Sequence, residues 1–146
     1  MVKRYDPDRY HTSSPLPVRI IERLRVRALR RLLAAAPQHR VLEVGCGGGN
    51  VLEQVPGRRI GLDLSPFILA KARARLGDVP LLRADAARLP FADRSLDRIF
   101  CSEVLEHILE PRAALAEMRR VIKDDGVVAV SVPNEDLINE DRKSVV

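Results

Sequence analysis

The sequence contains no tryptophan, and only 3% of its 146 residues are aromatic. That excludes a platform of stacked aromatic side chains of the kind that grips single-stranded nucleic acid. Two cysteines are too few for a disulfide framework, and the three histidines, His11, His39 and His107, lack ligand partners at short spacing, so no metal site is expected. Uninterrupted apolar runs such as residues 127–130 fall far below the roughly 20 residues needed to span a bilayer. The first residues lack the apolar stretch of a signal peptide, which makes the cytoplasm the expected compartment. Aliphatic side chains are plentiful: 46% of residues are hydrophobic and 31% charged, the balance of one soluble domain. Its core must be Val, Leu, Ile and Ala, the palette of parallel strands buried beneath helices.

The net charge of +5 is unevenly placed: residues 1–40 hold ten basic and three acidic side chains, residues 41–146 fifteen and seventeen. Such a split points to an anionic partner for the front segment. Within residues 17–36, Ile21, Leu24, Leu32 and Leu33 recur at helical spacing and predict the buried face of an amphipathic helix. Arg19, Arg23, Arg27, Arg30 and Arg31 fall on another face, read either as the solvated side of that helix or as a contact for RNA or an anionic membrane surface.

Residues 1–14 are polar, carry Tyr5, Tyr10 and His11, and read as a flexible leader or lid before a basic helix over residues 15–36. From residue 37 to residue 134 the pattern alternates. Apolar strands are predicted at 41–44, 60–64, 80–83, 98–102 and 127–132. One helix follows Ser65 as N-cap and Pro66 at its first position and stops at Gly77; another runs from residue 111 to about 123 and closes at Asp125 and Gly126. Alternation of this kind predicts an α/β, doubly wound, mainly parallel sheet of about five strands with helices on both faces. Ligands of such sheets lie beyond the carboxyl ends of the strands.

After the first strand comes Glu43-Val44-Gly45-Cys46-Gly47-Gly48-Gly49-Asn50, with four glycines in five positions, so a ligand can rest directly on main chain. A nicotinamide fingerprint would need Gly or Ala where Asn50 stands, and no Gly-Lys-Ser or Gly-Lys-Thr completes a P-loop. Asp63, eighteen positions past Gly45 at the tip of the second strand, is placed to accept from both ribose hydroxyls of a nucleoside; its alternative role as a helix cap is already filled by Ser65. Asp85-Ala86 follows the third strand, and the segment Cys101 to His107 the fourth.

Residues 41–50, 61–65, 83–91, 95–108 and 127–134, stretches that together span about two thirds of the chain, resemble the class I S-adenosylmethionine-dependent methyltransferases, and within them the type 11 group, in order and spacing. The resemblance implies a Rossmann-like strand order 3-2-1-4-5 and S-adenosylmethionine as cofactor. It places Gly45, Cys46 and Gly47 beneath the methionine part of the cofactor, counts Gly49 among the cofactor-binding residues, and puts Asp63 on the ribose and Leu64 on the adenine face. Asp85 and the Ala86 N–H would meet the adenine edge, and the backbone at Cys101 and Ser102 the methionine amino group and transferable methyl. Glu43 would either anchor the glycine loop or reach the ammonium through water.

The implied cofactor is already activated, so positioning suffices and no protein nucleophile is needed. Cys46 and Cys101 therefore read as packing residues, while His107 reads either as a general base or as a packing residue. Tyr10 and His11 could close over the cofactor. The expected acceptor is a small molecule; the alternatives are a cofactor-binding module without turnover and an RNA-modifying enzyme using the arginine face. Members of the family continue past the fifth strand with another helix and two strands, whereas only thirteen residues follow Pro133 here. The expectation is a fragment with a truncated tail over 135–146, or a fifth-strand edge covered by a dimer or another partner.

Overall fold

The structure is a computed structural model that describes residues 16–133. The leader at 1–14, with Tyr10 and His11, and the tail at 135–146 lie outside the described residues. Helix α1 (Leu16–Leu33) is followed by β1 (Arg40–Val44), β2 (Arg58–Asp63), α2 (Pro66–Leu76), β3 (Leu81–Arg83), β4 (Leu96–Ser102), α3 (Pro111–Val121) and β5 (Ile122–Ser131). Short 3-10 turns stand at Leu52–Gln54 and Leu105–His107. The five strands form one sheet in the order β3-β2-β1-β4-β5, and every pairing is parallel.

Parallel neighbours need crossovers, and here the crossovers load both faces of the sheet. Val41 and Phe100 turn toward α1 and α2, joining Leu29, Leu33, Ala72 and Leu76. Leu42, Val44, Ile99 and Cys101, one residue out of phase, turn toward α3 and meet Met118 and Val121. After β3 the chain returns to pair β4 with β1, so strand order reverses between β1 and β4 and opens a crevice there. Helix α2 starts and stops on local chemistry. The Ser65 hydroxyl accepts from the Ile68 N–H at 3.4 Å, Pro66 opens the helix, and Gly77 at φ +59° ends it.

Three expectations change. Helix α1 ends at Leu33 because Ala34 adopts a positive φ of 44°, and its buried residues are Val26, Leu29 and Leu33. Ile21, Leu24 and Leu32 face outward at 65%, 60% and 69% exposure, so the apolar face expected to be buried is not the one that meets the sheet. Helix α3 stops at Val121, since Ile122 is already extended and pairs with Leu96. Asp125 and Gly126 thus lie inside β5, in an irregularity between the Leu96–Ile122 and Arg98–Val127 pairings, where a Cβ at Gly126 would come within 2.5 Å of Ile122. Leu64 lies just beyond β2 rather than within it. No helix among the described residues is long and apolar enough to cross a membrane.

At the amino end of the sheet, away from the crevice, Asp97 ties three strands together. Its Oδ2 accepts from the Arg40 N–H at 2.8 Å and its Oδ1 from Lys123 Nζ at 2.7 Å. The Lys123 hydrogen bond, then the Arg40 N–H, hold its carboxyl below the usual carboxylate value. Asp97→Asn is expected to cost about 1–2 kcal/mol at neutral pH, the range for losing a charge-assisted hydrogen bond at a partly exposed site. A carboxylate with a depressed folded pKa stabilises fully above its unfolded value and loses that contribution as pH falls through the folded one. Urea unfolding of both proteins should therefore show a gap that closes below about pH 4; a gap unchanged in acid would refute the assignment.

Candidate functional site

The loops leaving β1, β2, β3 and β4 enclose a cleft with two lobes. Gly45 and Gly47, at φ +72° and +53°, bend the first loop back on itself. A Cβ on Gly45 would lie 2.5 Å from Val104 Cγ1, while one on Gly47 would meet nothing within 4 Å. Gly45 thus admits close packing by the segment after β4, and Gly47 presents bare main chain to the cleft. The Gly45 and Cys46 N–H groups both donate to the Leu62 carbonyl, at 2.8 and 2.9 Å. Gly49 stands apart from the lining, where its missing side chain makes room for Leu76 of α2.

Asp63 closes β2 and faces the glycine loop. Its Oδ2 accepts from the Gly47 N–H at 3.1 Å and its Oδ1 from the Ser65 N–H at 2.9 Å. A carboxylate offers about four lone-pair positions, which leaves about two for hydroxyls of a ligand.

The first lobe, about 400 Å³, is lined by Leu62, half-exposed Leu64, Ala84, Asp85, Ala86 and Ile108. Asp85 Oδ1 accepts from the Ala87 N–H at 2.9 Å, which fixes the turn that carries Ala86. The chain beyond that turn is clamped by α3: Arg120 donates to the carbonyls of Leu89 and Phe91 and pairs with Asp93 and Glu117, and Glu117 accepts from the Leu89 N–H. The hydrogen bond to Glu117, reinforced by that to Asp93, pushes the Arg120 guanidinium still further toward its charged form. Both lobes have the size of ordinary small-molecule sites.

The second lobe, about 480 Å³, is lined by Glu43, Cys46, Gly47, Ser102, Glu103 and Glu106, with Glu22 and Arg25 reaching in from α1. Gly45, Asp63, Val104 and His107 line both lobes, so the two are continuous. Glu43 is 2% exposed, and one of its carboxylate oxygens is buried with no hydrogen-bond partner. Burial pushes its carboxyl well above the usual range, against a backbone hydrogen bond at Leu52 that lowers it. Arg25 pairs with Glu103 at 3.2 Å, and its Nε is likewise buried without a partner. Here an unpartnered carboxylate oxygen and an unpartnered guanidinium N–H border the same space, the arrangement that a zwitterionic ligand end would satisfy.

The remaining expected residues divide. Ser102 lines the second lobe and its hydroxyl lies 3.2 Å from that of Ser131. Cys101 is fully buried in the core toward α3, its thiol pushed up to about 12 by burial. Burial, aided by Glu43, drives the Cys46 thiol upward as well. Neither is a ready nucleophile. His107 is carried to the cleft mouth on the Leu105–His107 turn, with its side chain 78% exposed and Nε2 3.9 Å from Glu106.

Arg25, Glu22, Val104 and Glu106 did not stand out in the sequence. The signal for the first two was present but depended on phase: once Val26, Leu29 and Leu33 define the inward face of α1, positions 22 and 25 lie one turn ahead on that side.

A family model described as a methyltransferase domain matches residues 42–130. Demethylmenaquinone methyltransferase of Renibacterium salmoninarum is 38% identical over 112 residues, which cover 72% of this chain and 47% of that one. Trans-aconitate 2-methyltransferase of an Acidovorax species is 36% identical over 114 residues, covering 75% of this chain and 43% of the relative. The chain thus spans less than half the length of either relative. Among solved structures, an S-adenosylmethionine-dependent methyltransferase from Mesorhizobium loti superposes with a TM-score of 0.64 at 28% identity, covering 73% of this chain and 52% of that one. The matched span holds the loops after β1, β2, β3 and β4 from which the cleft is made, and the chain belongs to the class I S-adenosylmethionine-dependent methyltransferase family.

Proposed function

We propose that this chain binds S-adenosylmethionine along the two-lobed cleft and serves methyl transfer to a small-molecule acceptor. The observation that carries the reading is Asp63, turned onto the glycine loop with acceptor positions left over at the junction of the lobes. The bound cofactor would supply an electrophilic methyl group on a sulfonium. Asp63 holds the ribose hydroxyls; Leu64 offers an apolar face to adenine, while Asp85 and the Ala86 N–H meet its polar edge. The main chain at Gly45, Cys46 and Gly47 runs beneath the methionine part, with Gly49 shaping that loop from behind and Ser102 closing it from β4, while Cys101 lies behind it in the core. Glu43 draws the ammonium toward the buried end of the second lobe, and Arg25 faces the carboxylate. Acidic groups dominate this lobe, which suits a ligand with two cationic centres.

Calorimetry with S-adenosylmethionine and S-adenosylhomocysteine tests the binding half. Asp63→Asn, which keeps the shape and removes the charge, is expected to weaken both by about 10- to 100-fold. Folded protein that gives no heat with either ligand overturns the assignment.

A second reading is binding without turnover. Methyl transfer to trans-aconitate or a demethylmenaquinone analogue, acceptors named for the curated relatives, separates the two readings. His107 is the exposed candidate base at the mouth of the cleft. With an accepted substrate, His107→Gln is expected to lower kcat by about 100-fold. Turnover that keeps its rate in the variant removes the base role.

A further inference from the structure

Helix α1 is apolar on two sides. Val26, Leu29 and Leu33 press on the sheet, whereas Leu16, Ile20 and Leu24 form a ridge at four-residue spacing on the far side, joined by Ile21 and Leu32. These five side chains are 48–69% exposed, far more aliphatic surface than a solvated helix face presents. Arg19, Arg23 and Arg30 flank the ridge on one side, and Arg27 and Arg31 fall at the same angular positions as its aliphatic residues, all exposed. Glu22, the one acid in the helix, sits on the inward side beside Arg25 at 3.8 Å.

We infer that the outer face of α1 seats the protein on an anionic lipid bilayer. Aliphatic side chains bordered by basic residues fit the boundary between acyl chains and headgroups, where the apolar edge is buried and each guanidinium meets a lipid phosphate. RNA would pair with the arginines but leave the five aliphatic side chains in water, with no aromatic partner for its bases. A second copy fits poorly: antiparallel pairing of α1 about a two-fold axis would bring the two arginine rows to the same side without a carboxylate between them. Because Glu22 and Arg25 of this helix also line the cleft, docking would hold the cleft rim about 10 Å from the headgroups, one helix diameter. The inference rests on exposure and charge along α1 and is independent of the proposed reaction.

The test is flotation of the purified chain with vesicles of phosphatidylcholine alone or mixed with phosphatidylglycerol, at low and high salt. Binding is expected only to the mixed vesicles and should fall as salt rises. The pair Arg23→Gln/Arg27→Gln should lower partitioning about 25-fold, at about fivefold per arginine, and the pair Ile21→Gln/Leu24→Gln at least about tenfold. Thermal unfolding of each variant checks that the fold is kept, since none of these side chains lies in the core. No flotation with mixed vesicles overturns the inference. So does binding that ignores Ile21 and Leu24 and is competed by an RNA oligonucleotide, or a dimer in sedimentation that the Ile21→Gln/Leu24→Gln pair abolishes.

Discussion

Much of this domain's functional architecture depends on one carboxylate accepting two backbone hydrogen bonds. Asp63 receives the Gly47 N–H on one oxygen and the Ser65 N–H on the other, and thereby joins the turn after β1 to the entry of α2. With the Gly45 and Cys46 N–H bonds to the Leu62 carbonyl, that link restrains a glycine-rich loop whose conformational entropy would otherwise be large. Orientation of the loop and orientation of the acid are therefore one property. The parallel pairing of β1 with β2 sets the distance over which the link is made, with Val44 opposite Leu62 one residue before Asp63.

Around that link the charges are sorted by depth. Glu43 lies deepest, with an oxygen left unpaired and its carboxyl driven upward by burial; Asp63 is partly exposed; Glu106 and His107 stand at the rim. Arg25 bridges from α1 to Glu103 and brings a cation to the same space. A buried carboxylate oxygen without a partner carries a desolvation cost, which a cationic group bound in this cleft would offset. The wall of the other lobe is held by different means, through Arg120 and Glu117 of α3, which no motif in the sequence announces.

What could be read from the chain beforehand followed the range of the forces involved. The Ser65–Pro66 start and Gly77 stop of α2 are local, and so is the spacing of glycines against Asp63; both stood in the sequence as they stand in the structure. The burial of α1 could not be read that way. Leu16, Ile20 and Leu24 are as apolar as Val26, Leu29 and Leu33, and periodicity alone does not choose which face meets the sheet. The run Lys123-Asp124-Asp125-Gly126 has the composition of a helix stop, yet Asp97 captures Lys123 from a neighbouring strand and draws the run into β5. Arg25 entered the cleft for the same reason: its position depends on the phase of a helix whose phase is decided by packing.

The burial of Cys46 bears on self-protection. A thiolate is among the strongest nucleophiles a protein carries, and a methyl-bearing sulfonium held over the glycine loop would alkylate one within reach. Desolvation, with Glu43 adding its charge, keeps this sulfur protonated and turned toward Gly61, where a Cβ would lie 3.0 Å from it. A small side chain fills the turn, and a sulfonium bound over it would meet a thiol rather than a thiolate.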